Sequence, residues 1–114
     1  MSILNRRIVM TLGALAILAG PATAQGLSGS YKAEGRNPDG SAYRGVVQLT
    51  HSANVVSMAW SVGNSSYIGT GVQDGRVITV NWGADTPVVY VVMPDGSLHG
   101  TWANGAALEK LTPN

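Results

Sequence analysis

The chain has 114 residues, a formal charge of +1 at neutral pH, no cysteine, and an aromatic set of four Tyr and three Trp without a single Phe. The missing cysteine excludes a disulfide framework, a thiolate metal site, a cysteine nucleophile and lipid attachment at a cysteine. With no basic cluster there is no electrostatic footprint for nucleic acid.

In chain order, Arg6 and Arg7 precede an uncharged, largely apolar run from Ile8 to Ala19, and Ala22-Thr23-Ala24 supplies small residues just before Gln25. This is the order of a secretory signal peptide cleaved between Ala24 and Gln25. Its apolar run of about 12 residues is well short of the ~20 that cross a bilayer as a helix. The reading is therefore residues 1–24 as signal and 25–114 as one domain, exported to the periplasm or secreted, with no transmembrane anchor after cleavage. Asn5-Arg6-Arg7-Ile8 lacks the hydroxyl residue before the arginine pair and the Phe-Leu-Lys after it that twin-arginine export favours, so the general secretory route is expected. The mature chain keeps Lys32, Arg36, Arg44, Arg76 and Lys110 against six acids, a charge of −1.

From Gln25 onward, β-favouring runs alternate with turn residues. The predicted strands are Leu27–Ala33, Ala42–Thr50, Val55–Val62, Ser66–Gln73, Arg76–Trp82, Pro87–Met93, Ser97–Ala103 and Ala106–Leu111. The breaks include Pro38-Asp39-Gly40, Gly63-Asn64, Asp74-Gly75, Pro94-Asp95-Gly96 and Asn104-Gly105, and Asp-Gly and Asn-Gly suit tight hairpins with positive φ at both central positions. Eight short strands at this spacing predict an all-β, antiparallel, up-and-down meander. Closure into a small β-barrel removes the exposed sheet edges. In the second strand Tyr43, Val47 and Leu49 share one face, and Arg44, Gln48 and Thr50 the other. Val88 to Met93 is apolar on both faces, which predicts either a cover on its outer side or a subunit interface. Eight strands in 90 residues leave too little length for membrane-spanning strands of ~9–11 residues plus turns.

Two echoes run through the domain. Leu27-Ser28-Gly29-Ser30-Tyr31 matches Leu98-His99-Gly100-Thr101-Trp102 in pattern, and Pro38-Asp39-Gly40-Ser41 matches Pro94-Asp95-Gly96-Ser97 outright. Related first and last segments suit closure of an antiparallel barrel.

Candidate chemistry is sparse. Every aromatic ring carries a polar tip, as where one end is apolar and the other wet. Tyr31, Tyr43, Trp60, Tyr67, Trp82 and Trp102 are the candidate binding aromatics, for a ligand at a barrel mouth or for a protein face, although rings also suit strands and plug barrel ends. His51 and His99 stand apart, without an acid at metal-ligand spacing, and read as surface or rim residues. Asp39, Asp74, Asp85 and Asp95 fall in turns. Glu34 and Glu109 lie near strand ends, within reach of Lys32 or Arg44. No serine matches a nucleophile elbow, and no phosphate-cradling glycine loop precedes a helix. No enzyme activity, cofactor or metal is expected.

The pattern Gly29-x-Tyr31-x-x-x-Gly35-x-Asn37-x-x-Gly40-x-x-Tyr43-x-Gly45, followed by Met93-Pro94-Asp95-Gly96-x-Leu98-x-Gly100-x-Trp102 and the Glu109 to Pro113 ending, resembles a family of small exported alphaproteobacterial proteins often labelled fibronectin-binding. The resemblance implies a non-enzymatic binding protein whose partner is an extracellular matrix glycoprotein such as fibronectin. A looser likeness is to avidin-like and lipocalin-like barrels, with Gly29-Ser30-Tyr31 in place of a first-strand Gly-x-Trp. It implies the alternative of a small-ligand carrier with an apolar cavity. The third expectation is an envelope structural protein that forms a homodimer through Val88–Met93.

Overall fold

The computed structural model describes residues 26–114; the signal segment and the Ala24–Gln25 cleavage site lie outside the described residues. Eight antiparallel strands follow one another: β1 Gly29–Arg36, β2 Ala42–Ser52, β3 Val55–Val62, β4 Ser65–Asp74, β5 Val77–Asn81, β6 Val88–Val92, β7 Leu98–Trp102 and β8 Ala107–Pro113. Each pairs with the next, and β1 pairs with β8, so the sheet closes into an up-and-down barrel. Closure leaves no edge strand. β1 runs on to Arg36, three residues beyond the sequence expectation, because Glu34, Gly35 and Arg36 are paired on both sides, to β2 and to β8.

The alternation sorts side chains as period two demands. Tyr31 and Ala33 of β1, Val47 and Leu49 of β2, Val56, Met58 and Trp60 of β3, and Ile78 and Val80 of β5 point inward and are buried. β4 adds little inward bulk: Gly69 and Gly71 leave room for the Trp60 ring and the β5 backbone. Of the two expectations for Val88–Met93, an outer cover is not complete among the described residues: Val91 remains 38% exposed.

The turns correct one detail. Of the Asp-Gly and Asn-Gly pairs, only Asn104-Gly105 has positive φ at both residues; at Asp39-Gly40, Asp74-Gly75 and Asp95-Gly96 the glycine alone does. The two Pro-Asp-Gly-Ser segments build the same turn. Gly40 N–H donates to Asn37 O at 2.8 Å and Gly96 N–H to Met93 O at 2.9 Å. Proline presets the first corner, and the left-handed glycine ends the loop. In both, the aspartate Oδ1 accepts from the backbone N–H of the following serine at 2.9 Å and from its hydroxyl at 2.6 Å. The sequence echo is therefore a repeated loop. These bonds hold the Asp39 and Asp95 carboxyls below the usual carboxylate range.

Odd-numbered strands run toward one end of the barrel and even-numbered strands away from it. The connections β1–β2, β3–β4, β5–β6 and β7–β8 therefore surround a single mouth, at the end where the aromatic residues gather.

Candidate functional site

Strand direction places most of the candidate rings. Trp60 and Trp102 lie at or near the mouth ends of β3 and β7, and Trp82 just beyond β5. Tyr43 and Tyr67 lie near the starts of β2 and β4. All five line a cavity of ≈ 180 Å³ that opens at the mouth, together with Asn37, Val62, Val88 and Glu109. Tyr31 does not join them. It sits at the opposite end, 2% exposed, and its hydroxyl donates to Leu27 O at 2.7 Å, tying the segment before β1 to the core.

Four of the rings meet edge to face in a chain beside the cavity. Tyr43 and Trp102 have centroids 6.2 Å apart, Trp102 and Trp82 5.7 Å, and Trp82 and Tyr67 5.8 Å, at interplanar angles of 65°, 85° and 78°. This is the arrangement that ring quadrupoles favour.

Glu109 forms the floor. The sequence reading placed it near a strand end, open to Lys32 or Arg44; it is instead an inward residue of β8 and only 6% exposed. Glu34 fits that reading better, standing on the outer face opposite Arg44 in register. Three donors converge on the Glu109 carboxylate. Tyr43 Oη–H donates to Oε1 at 2.8 Å, Trp60 Nε1–H donates to Oε2 at 3.1 Å, and the Tyr90 hydroxyl donates to the same Oε2. Behind them, Trp102 Nε1–H donates to Tyr43 Oη at 3.0 Å, and Trp60 Nε1–H is shared with Tyr90 Oη at 3.2 Å. An indole only donates and a phenol has one proton, so every bond in this network runs toward the carboxylate, which only accepts when ionised. Burial, and then the Glu109 charge, push the Tyr43 and Tyr90 hydroxyls well above the usual tyrosine range.

Two glycines make this convergence possible. In register, Tyr43 stands opposite Gly35, Gly35 opposite Glu109, Glu109 opposite Gly100, and Gly100 opposite Tyr90. Five adjacent strands thus carry the row Tyr-Gly-Glu-Gly-Tyr at one level. Each tyrosine ring lies across its glycine to reach the glutamate between them. A Cβ at Gly35 would collide with the Tyr43 ring and lie 2.5 Å from Leu108 O; one at Gly100 would lie 2.7 Å from Tyr90 Cε1. Below this row Ala33, Val47, Leu98 and Leu111 are fully buried.

The remaining sequence candidates lie elsewhere. His51 is the penultimate residue of β2 and His99 an exposed residue near the start of β7, both at the end away from the mouth. Among the described residues no group of three His, Cys, Asp or Glu is placed to hold a metal ion.

The sequence reading missed Tyr90 and Glu109. A signal was present for Glu109, which shares its period-two face with Ala107 and Leu111, whereas Leu108 and Lys110 occupy the other face.

No protein-family model matches the chain, and no curated protein or solved structure matches it.

Proposed function

We propose that this is an exported, non-enzymatic binding protein that holds a small ligand in the aromatic mouth of its barrel. One observation carries the reading: at one end of the barrel, beyond a core of buried side chains, five rings surround an open cavity of ≈ 180 Å³. That is slightly larger than the ~150 Å³ cavity that accepts benzene. A concave, mostly apolar site with one fixed polar group is the usual form of a small-molecule site. The site offers a single carboxylate already committed to three donors, which suits recognition better than proton transfer.

All three tryptophans of the chain line the cavity, so tryptophan emission reports on the mouth. Titration with ring-sized compounds such as toluene and benzyl alcohol should give a saturable spectral shift. Responses that stay linear and non-saturating across a panel of neutral, cationic and anionic compounds of this size would remove the reading.

A second reading, binding of a matrix glycoprotein, draws on the outer face. Val55 and Val72 stand opposite each other there, and Ile68 is 77% exposed. Capture by immobilised fibronectin that persists in high salt and is lost in Ile68→Ser would favour it. A heat-unfolded sample that binds equally well would count against it.

A further inference from the structure

We propose that the mouth selects a small organic ammonium ion, held by the Glu109 charge and the surrounding ring faces; this rests on the mouth being a small-ligand site.

Glu109 is the only ionisable carboxylate or base among the residues lining the cavity; no Lys, Arg or His joins it. Its hydrogen-bond partners are neutral donors. An ionised carboxylate has about four lone-pair sites, and three donors leave room for an opposite charge to approach. An entering cation supplies the counter-charge; an anion meets like charge.

The walls discriminate further, because most of their hydrogen-bond donors are already used; the Tyr67 hydroxyl is the exception. The Trp60 and Trp102 N–H groups serve the Glu109 network, and Trp82 Nε1–H donates to Thr86 O at 3.2 Å. The Tyr43 and Tyr90 hydroxyls give their protons to Glu109, and Asn37 Nδ2 donates to Ser41 Oγ at 3.0 Å. Apart from the Tyr67 hydroxyl, what the walls still offer is mainly π surface. A quaternary or tertiary ammonium, which is weakly hydrated and has few or no N–H groups to satisfy, fits such a lining. A hard metal ion does not, since it requires several oxygen ligands.

The approach has the same sign. The loops around the mouth, 37–41, 63–64, 82–87 and 103–106, contain Asp39 and Asp85 and no basic residue. The nearest base, Arg36, ends β1 and donates to Gly40 O at 3.3 Å.

The test compares three probes of one shape: choline, 3,3-dimethylbutan-1-ol, in which carbon replaces the charged nitrogen, and 3,3-dimethylbutanoate. Tryptophan emission is titrated with each. The expected result is saturable binding of choline at least about tenfold tighter than the alcohol, with no response to the anion. Glu109→Gln should bring choline down to the level of the alcohol. Trp82 lies outside the glutamate network, so if Glu109→Gln unfolds, Trp82→Leu decides: it should weaken choline more than the alcohol. Equal binding of choline and alcohol, or a Trp82→Leu effect that is the same for both, overturns the cation assignment and leaves the small-ligand site standing. So does binding of benzyl alcohol without binding of choline. No saturable response to any of these compounds overturns both.

Discussion

Gly100→Ala tests the row of residues that holds Glu109. In a strand, alanine is ordinarily favoured over glycine by ~0.5–1 kcal/mol, because glycine loses more chain entropy on folding. Here the sign reverses. The new Cβ would lie 2.7 Å from Tyr90 Cε1 and 3.0 Å from Val89 O, and Tyr90 is fully buried. The ring can move only by lifting its hydroxyl from Glu109. Overpacking of this kind costs about 1–3 kcal/mol, and a lost hydrogen bond to a charged group about 1.5–3 kcal/mol more. After the propensity gain, the net destabilisation is about 1.5–5.5 kcal/mol. At about 4–8 °C per kcal/mol for a domain of this size, Tm should fall by roughly 6–44 °C. Thermal melts followed by circular dichroism measure it, within a double-mutant cycle. In the Tyr90→Leu background the ring is gone, and Gly100→Ala should cost at least about 1 kcal/mol less. Gly35→Ala should differ, because Leu108 O, at 2.5 Å from its Cβ, is backbone and remains when Tyr43 is changed to Leu. A Gly100→Ala protein as stable as the parent, or a strictly additive cycle with Tyr90→Leu, refutes the reasoning.

Three further outcomes are expected. Glu109→Leu strips the common acceptor from Tyr43, Tyr90 and Trp60 and should cost about 3–5 kcal/mol in urea unfolding, with Glu109→Gln costing less because an amide oxygen remains; a leucine variant at least as stable as the glutamine variant would contradict this. The raised Tyr43 and Tyr90 hydroxyls stabilise the fold fully below the unfolded tyrosine value of about 10. Above it the unfolded chain releases protons that the folded barrel keeps, so Tm should fall steadily with rising pH; a Tm constant between about pH 10 and 12 would count against it. Asp39 and Asp95 act in the opposite direction, since their carboxyls are held low by Ser41 and Ser97. Their contribution is present above the unfolded value of about 4 and lost as pH falls, so the Tm penalties of Asp39→Ala and Asp95→Ala should shrink in acid, and penalties unchanged in acid would reject the role of these bonds.

The strands and turns were legible because both are local properties. Period-two alternation in Ala42–Ser52 and the Pro-Asp-Gly-Ser segments act over a few residues, and their consequences could be read directly. Turn type was less legible: Asp-Gly permits several loop geometries, and in all three Asp-Gly turns the glycine alone takes positive φ. Tyr31 shows the limit for the candidate site. Its composition and spacing resemble those of Trp102, yet β1 begins where β7 also begins, and Tyr31 lies near the start of its strand whereas Trp102 ends its own. One ring therefore closes the far end and the other lines the mouth.

What the sequence determined by itself was an all-β chain of eight short strands with a consistent inner face, because alternation and turn chemistry act between near neighbours. Only the tertiary structure decided which residues share a level. Tyr43, Gly35, Glu109, Gly100 and Tyr90 come from five strands, and their alignment depends on the register of four ladders, one of them joining the first strand to the last. Slipping one ladder by a residue would turn its inner set outward. Register is a property of the closed barrel as a whole, and it is register that converts an apparently ordinary surface glutamate into a buried carboxylate beneath an aromatic mouth.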